Sequence, residues 1–382
     1  MKTRRRLKLN HALLMLACLT LAACADTKQP SFASPMSMNS AAPLGNAQGQ
    51  QPATIRGSIV DGPVDNRVIT ITTRRGEVKK SITENGEGSF ALATIFAKDD
   101  FPLIYRARDE AQLLVIGDPG FTLLSTSPRP ALGQRVSINA YSTLITKTAM
   151  KLPGGIGPTT IEKATTSVTS QLNFGLYGEF KDNPTSTLTT EANIHIITKA
   201  NEALSEMIRR TSRQLNMSGR HMTPDDVIDA LAADLVDGQL NGVGAVGTHP
   251  RISAVANFIA GQVALEAITN ELRVRNIDAT PSLDYIIASA YPQSQNRTRN
   301  VHLTDALIHQ AMVAIEIANR ISPNPQLSKT AAALQQLTSF MRPDRAKKIL
   351  PGNVREKLGE ISRRIVMSDS TTVKRLNAFI SS

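Results

Sequence analysis

Apolar and polar residues alternate with a period of two in the region that follows residue 53. Ile55 and Ile59 alternate with Arg56 and Ser58 in the first such run. This spacing places every second side chain on one face of a β-strand. Further runs rich in β-branched or aromatic residues, with turn residues between them, cover residues 68–73, 78–82, 89–92, 103–107 and 113–117. Short strands of this kind are typical of a β-sandwich, so the pattern predicts a small antiparallel β-sandwich over residues 54–138.

Beyond residue 139 the apolar positions recur at intervals of three and four, which is typical of amphipathic helices. Ile197, Leu204 and Ile208 mark one face of the longest of these, and Thr223-Pro224 is a helix-start signal. The predicted helices cover residues 158–172, 188–215, 224–235, 252–274, 283–290, 304–321, 329–340 and 354–366. The sequence therefore predicts an α+β fold, in which the β-sandwich domain precedes an all-α C-terminal domain at residues 139–382.

Two stretches of the predicted sandwich have a distinctive arrangement of glycines. Residues 57–64 read Gly-Ser-Ile-Val-Asp-Gly-Pro-Val, and residues 85–90 read Asn-Gly-Glu-Gly-Ser-Phe. Together they resemble the carboxypeptidase-regulatory-like, transthyretin-like domains of secreted bacterial proteins, in which a later Asp-Gly-x-Phe hairpin closes the sheet. Here Glu87 lies between two glycines and Ser89 precedes Phe90, which departs from that pattern. The resemblance implies a fold for this region and no particular chemistry.

The start of the chain has the layout of a secretory signal. Basic residues come first, an apolar stretch from Ala12 to Ala23 follows, and small residues end it. The stretch is shorter than the roughly 20 residues that a transmembrane helix needs. Residues 1–23 are therefore predicted to be a signal peptide.

The signal ends in Leu21-Ala22-Ala23-Cys24, which resembles the lipobox of bacterial lipoproteins. The resemblance implies cleavage before Cys24, a diacylglycerol on its sulfur and an acyl chain such as palmitate on its amino group. Ala25, rather than aspartate, implies transfer to the outer membrane. An ordinary signal peptide with an unrelated cysteine is the alternative. Residues 24–53 are rich in Ser, Pro, Ala and Gln and predict a disordered, lipidated tether.

Composition narrows the possible functions of the exported chain. Cys18 lies in the signal, so the mature chain keeps one cysteine, and it is predicted to hold no disulfide, cysteine metal site or cysteine nucleophile. The absence of tryptophan and an aromatic content of 4% argue against a stacking platform for sugars or single-stranded nucleic acid. The net charge of the chain is +11, and it falls to +6 without the five basic residues of the signal. Residues 342–375 alone carry a net charge of +6, so they account for the whole positive excess of the mature chain. An exported chain of this kind is not expected to bind nucleic acid.

The basic C-terminal segment has an apolar stripe at helical spacing, formed by Val354, Leu358, Ile361 and Ile365. Such a stripe predicts a core helix with a solvated basic side. The functional alternative is contact with anionic lipid head groups or with an acidic envelope protein, because cations near an anionic surface are attracted to it. The candidate contact residues are Lys347, Lys348, Arg363 and Arg364.

Candidate metal sites are weak in this sequence. His302 and Asp305 have the spacing of a metal-binding pair on a helix, but no second pair accompanies them. Residues 237–242, Asp-Gly-Gln-Leu-Asn-Gly, are similar to the first half of a calcium loop. Thr248 stands where such a loop needs a bidentate Glu, so we expect a turn after a glycine-ended helix. No metal and no cofactor are predicted.

Motifs of the common catalytic sites are also missing, since the chain has no Gly-x-Ser-x-Gly elbow and no phosphate-binding Gly-x-x-x-x-Gly-Lys loop. The sequence thus predicts no catalytic residue. It favours a non-catalytic binding or assembly module of the cell envelope, anchored to the outer membrane by its lipid. The alternative is a hydrolase of an envelope polymer, whose serine, histidine and acid would converge from distant positions.

Overall fold

The protein was analysed as a computed structural model that describes residues 50–60, 68–82, 88–108, 120–131, 133–190, 192–274, 301–337, 340–341 and 354–380. These residues all lie in one compact unit from Gln48 to Ser382. Sheets form its N-terminal part and helices most of the remainder, which confirms the α+β fold class. The signal peptide and Cys24 lie outside the described residues.

Seven strands build the N-terminal part as far as the structure describes it. They are β1 (Gln50–Ile59), β2 (Val68–Thr72), β3 (Val78–Ile82), β4 (Ser89–Ala97), β5 (Leu103–Arg108), β6 (Leu123–Ser127) and β7 (Arg135–Ile138). Because β1 begins at Gln50, the last residues of the predicted tether belong to a strand. The predicted strand at residues 113–117 lies outside the described part of the chain.

The strands form two sheets, with the orders β4-β1-β7 and β3-β2-β5-β6. Neighbouring strands pair antiparallel except β1 and β7, which run parallel, with Arg56 opposite Arg135 and Ile59 opposite Ile138. The prediction of a purely antiparallel arrangement is therefore wrong for this pair. A period-two pattern fixes which side chains share a face, but it carries no information on the direction of a distant partner.

Both sheets bury side chains in one hydrophobic core. In β2, Ile69 and Ile71 are fully buried while the residues between and beside them are half-buried, as period two requires. The other strands contribute Ile55, Ile59, Phe90, Phe96, Leu103, Tyr105, Ala107, Leu123, Val136 and Ile138.

Gly57 and Phe90 face each other across the β1–β4 pair, and a Cβ on Gly57 would overlap the Phe90 ring. We expect Gly57→Val to lower the free energy of unfolding by about 1–3 kcal/mol, because added volume forces a packed core apart. Urea unfolding measures this change. Arg56→Val, at the exposed neighbouring position, is the control and should cost much less; equal costs would contradict the role of Gly57 in receiving the ring.

Ten helices follow in the described residues. They are α1 (Ala140–Lys151), α2 (Pro158–Gln171), α3 (Gly178–Asp182), α4 (Ile194–Met217), α5 (Pro224–Asp234), α6 (Pro250–Ile268), α7 (Asp305–Ile321), α8 (Pro325–Gln335), α9 (Val354–Met367) and α10 (Ser370–Ile380). Two short strands, β8 (Val301–His302) and β9 (Phe340–Met341), pair with each other.

Most predicted helices exist, with shifted ends. Thr223 caps α5 as expected, since its Oγ1 accepts a hydrogen bond from the Asp226 backbone N–H at 3.1 Å. The helix predicted over residues 188–215 begins only at Ile194, and the one predicted over 329–340 is α8, which ends at Gln335. The predicted helix at 283–290 lies outside the described residues, and α10 was not predicted.

Helix α6 lies at the centre of the helical part and packs against α4, α5, α7, α9 and α10. Gly261 of α6 is the point of closest approach to α7, because a Cβ there would overlap Ala314 and the Gln310 carbonyl. Ala311 and Ala318 are also fully buried on α7. These small side chains allow α6 and α7 to pack closely.

Buried polar side chains join the last strands to α1. Asn139 caps α1 by accepting from the Ser142 N–H at 2.8 Å, and its Nδ2 donates to the Pro184 carbonyl at 3.0 Å. Ser142 donates to the Leu124 carbonyl at 2.6 Å, and Thr143 Oγ1 accepts from the Leu124 N–H at 2.8 Å. The two bonds to Leu124 cross the domain boundary that the sequence predicts at residue 138, and this boundary stays a prediction.

Candidate binding cleft

A cleft of about 780 Å³ lies where the β6–β7 loop, helix α2 and the segment after α3 meet. That volume is within the range of known small-ligand sites, about 300–1,000 Å³. Half of the described lining residues carry hydroxyl or amide groups, among them Ser127, Thr165, Thr169, Asn173, Thr185 and Ser186. The site is therefore suited to a polar ligand that makes several hydrogen bonds.

Gln134, at the end of the β6–β7 loop, is part of the sheet-side wall and is only 5% exposed. Its backbone carbonyl is occupied by the Arg56 N–H at 2.9 Å. Its side-chain Oε1 is buried and has no donor among the residues that the structure describes. An unsatisfied buried acceptor costs about 1–3 kcal/mol, and a ligand N–H or O–H would satisfy it once the Gln134 side chain turned toward the cleft.

The opposite wall is helix α2, which turns Ala164 and Val168 into the core and a row of hydroxyl groups toward the cleft. The hydroxyl groups of Thr166, Thr169 and Ser170 each donate to a carbonyl of the helix itself, at 3.1, 2.9 and 3.0 Å. Their proton is therefore used internally, while lone pairs remain to accept hydrogen bonds. This wall presents acceptors.

The segment after α3 is fixed against the sheets. The carbonyl of Thr185 accepts from the Ser137 N–H at 2.8 Å and from Ser125 Oγ at 3.3 Å. Beneath the cleft, Asn173 Oδ1 accepts from the Gly175 N–H at 3.0 Å and from Thr304 Oγ1 at 3.1 Å. These bonds hold the walls and floor in place without a ligand, so the cleft is preformed.

Charged side chains border the cleft. Arg129, Arg135 and Lys181 supply three cations, and Glu162 and Asp182 supply two carboxylates. All five are exposed. The slight positive excess favours a neutral or acidic ligand over a basic one, although exposed charges of this kind are screened by salt.

The described groups whose pKa values shift lie outside this cleft. Arg210 donates to both carboxylate oxygens of Glu266 at 2.9 Å and to Glu206 at 2.9 Å. Burial raises the pKa of Glu206, but Arg209 and Arg210 outweigh it and the net pKa is lowered. Burial raises the pKa of Asp234, against the hydrogen bonds that its carboxylate accepts. Glu206 and Asp234 both stabilise the packing of helices or loops.

Of the site residues predicted from sequence, Cys24, Lys347 and Lys348 lie outside the described residues. Arg363 and Arg364 lie on the exposed side of α9. Arg364 pairs with Glu360 at 2.6 Å, whereas Arg363 Nε reaches only the Gly359 carbonyl at 3.4 Å. The predicted apolar face of α9 is buried at all four positions, Val354, Leu358, Ile361 and Ile365. None of these residues lines the cleft.

The weak metal motifs have structural explanations. His302 lies in β8 and Asp305 is the first residue of α7, so they do not share a helix face. In residues 237–242, Asp237 Oδ1 accepts from the Gln239 N–H at 2.9 Å, and Gly238 has the left-handed backbone of a helix end. This confirms the expected turn. In the part of the chain that the structure describes, no three His, Cys, Asp or Glu side chains cluster as metal ligands would.

The chain matches no family model, no curated protein and no solved structure. None of its described helices is both long enough and apolar enough to cross a membrane. The functional argument therefore depends on the residues themselves. The cleft was not predicted from the sequence. The signal that could have indicated it is the run of residues 165–170, Thr-Thr-Ser-Val-Thr-Ser, in which five of six residues carry a hydroxyl group.

Proposed function

We propose that this protein is an outer-membrane lipoprotein whose cleft binds a short polar peptide segment of an envelope partner, as a non-catalytic binding or assembly module. In this proposal Cys24 carries the lipid, and the two sheets are a sandwich of the carboxypeptidase-regulatory-like type. The basic residues Lys347, Lys348, Arg363 and Arg364 face an anionic lipid surface or an acidic partner.

The observation that carries the binding proposal is that Gln134, whose buried Oε1 lacks a donor among the described residues, is one of the residues that line the cleft. In this proposal the Gln134 side chain turns toward the bound peptide. A peptide supplies backbone N–H groups for this oxygen and for the hydroxyl acceptors of α2. Among the described residues that line the cleft, none is aromatic and could stack on a sugar ring, which favours a peptide over a glycan.

We expect Gln134→Met to separate binding from folding. Replacing an unsatisfied buried acceptor by an apolar side chain of similar size should leave the free energy of unfolding unchanged or raise it by about 1 kcal/mol. Capture of the partner should fall about tenfold, because one buried hydrogen bond is lost. Thermal unfolding and the yield of cross-linked partner measure the two effects; a variant that loses stability and keeps its partner would contradict the proposal.

The partner itself can be trapped with a photo-crosslinking amino acid in the intact lipoprotein. Thr166 lines the cleft, and Lys163 on the same helix is equally exposed and does not. A crosslinked species is expected from position 166 and not from position 163, and Gln134→Met should weaken it. Equal crosslinking from both positions would refute binding in the cleft.

The lipid anchor has a separate test. In cells, Cys24→Ser should remove labelling by a palmitate analogue and release the protein from membranes washed in high salt, because attachment by charge alone is screened. Ser37→Ala in the tether is the control and should keep both label and membrane. A Cys24→Ser protein that still labels would show that the anchor is elsewhere.

A further inference from the structure

The loop between α5 and α6 exposes two large apolar side chains. Val246 is 98% exposed and Val243 is 68% exposed. Single exposed apolar residues are ordinary on protein surfaces. Two in one short loop form an exposed apolar patch.

The loop has a fixed shape. The Ala245 N–H donates to the Ala233 carbonyl at 2.9 Å, and the Thr248 hydroxyl donates to the Ala245 carbonyl at 2.8 Å. Gly244 lies so close to the Ala233 carbonyl that a Cβ would overlap it. The Gly242 N–H donates to both oxygens of the buried Asp234 at 2.9 Å. The valines are thus held outward by bonds that the loop makes with α5.

Cations surround the valines. Lys151 lies close to Gly247, the neighbour of Val246, since a Cβ on Gly247 would be 3.6 Å from Lys151 Nζ. Pro250 lies close to Gly242, the neighbour of Val243, since a Cβ on Gly242 would be 2.9 Å from Pro250 Cα. Arg251 follows Pro250. The pKa of Arg251 is lowered, mainly by burial and next by the nearby Arg220, while the carboxylate of Asp369 raises it. Burial, the largest cause, also lowers the pKa of His249, as do the nearby Arg220 and Arg251.

The same surface includes the end of α9. Arg251 donates to the carbonyls of Val366 and Ser368, the former at 2.8 Å, and Met367 between them is 74% exposed. Arg363 is one helical turn before Met367, on the same side of α9. We call this surface the valine tip, and define it by Val243, Val246, Met367, Lys151, Arg251 and Arg363.

We propose that the valine tip docks on an anionic lipid bilayer, with Val243 and Val246 inserted between the head groups. Exposed apolar side chains bordered by cations are the composition of surfaces that bind at the lipid–water boundary. The cations Lys151, Arg251 and Arg363 outnumber the described carboxylates nearby, Asp369 and Asp237, the latter in the same loop, and this positive excess complements anionic lipid. The inference rests on the proposed lipid anchor only in that the anchor keeps the tip near a membrane.

The test uses the mature chain from Ala25 onward, without lipid, and vesicles with or without phosphatidylglycerol. The chain contains no tryptophan, so Val246→Trp adds one fluorescent reporter at a fully exposed position. Phosphatidylglycerol vesicles at low salt should shift its emission to shorter wavelength, and phosphatidylcholine vesicles should not. Val78→Trp, on β3 and outside the valine tip, is the matched control and should not shift.

Two further variants test the two parts of the surface by vesicle sedimentation. Val246→Asp should weaken binding at least about tenfold, since a side chain that enters the boundary is replaced by an anion. Arg363→Gln should weaken it about fivefold at low salt and little at high salt. The inference is overturned if Val246→Asp binds the vesicles as well as the unsubstituted chain does. It is also overturned if the emission of Val246→Trp shifts without lipid because the chain self-associates. Cys24→Ser fractionation tests the anchor independently.

Discussion

Arg210→Met is expected to lower the free energy of unfolding by about 3–5 kcal/mol at neutral pH, among the largest effects of a single substitution in this chain. Arg210 binds the carboxylates of Glu206 and Glu266, which are buried between α4 and α6. Burial lowers the pKa of Arg210, but the two carboxylates outweigh burial and raise it. Arg209 still pairs with Glu206 at 3.2 Å and Arg355 with Glu266 at 3.3 Å, but each carboxylate loses its shorter ion pair, in a place where little water can enter.

The loss should depend on pH in a definite direction. Because the pKa of Glu206 is lowered in the folded state, its stabilising contribution is present above the ordinary glutamate pKa of about 4.3 and is lost as the pH falls through the folded value. The difference in the free energy of unfolding between the unsubstituted protein and Arg210→Met should therefore become smaller in acid. Urea unfolding at pH 7 and at pH 3, below the ordinary glutamate pKa, measures this difference. Arg364→Met, in the exposed pair with Glu360, should change little at either pH.

Asn201→Leu is expected to cost about 2–5 kcal/mol, because it leaves two buried backbone groups without partners. Asn201 on α4 accepts from the Ala140 N–H at 2.7 Å and donates to the Val60 carbonyl at 2.6 Å. These groups lie at the start of α1 and just after β1. One amide thus joins the sheets to the helices, and a lower unfolding midpoint in urea is the expected observation.

Asn216→Leu is the matched control for this substitution. Asn216 lies on the same helix and also bonds the N–H and the carbonyl of one backbone residue, Met222, at 2.7 and 2.9 Å. It is exposed, so water can replace both bonds and the cost should stay near about 1 kcal/mol. Similar losses from the two variants would mean that Asn201 acts through the helix alone and does not join the two parts.

Local patterns were sufficient where local forces decide the structure. The alternation in β2, the Thr223-Pro224 helix start and the apolar face of α9 all follow from the spacing of residues that are neighbours in sequence. Helix α10 was missed although it has a start signal of this kind. Asp369 caps the helix by accepting a hydrogen bond from the Thr372 N–H at 2.8 Å. Its apolar face is short, with Val373 and Leu376 buried, so periodicity alone is weak there.

The sequence by itself determined the class of fold, the order of its parts and the places where most elements begin, since these depend on short-range periodicity and capping. Only the tertiary structure decided that β7 pairs parallel to β1, and that Gln134, residues 165–170 and Thr185 enclose one cleft. The same holds for the valine tip, where α9, α6 and a loop bring apolar and cationic side chains together. Serine, threonine and valine have no distinctive spacing in sequence, and their function depends on which distant backbone places them side by side.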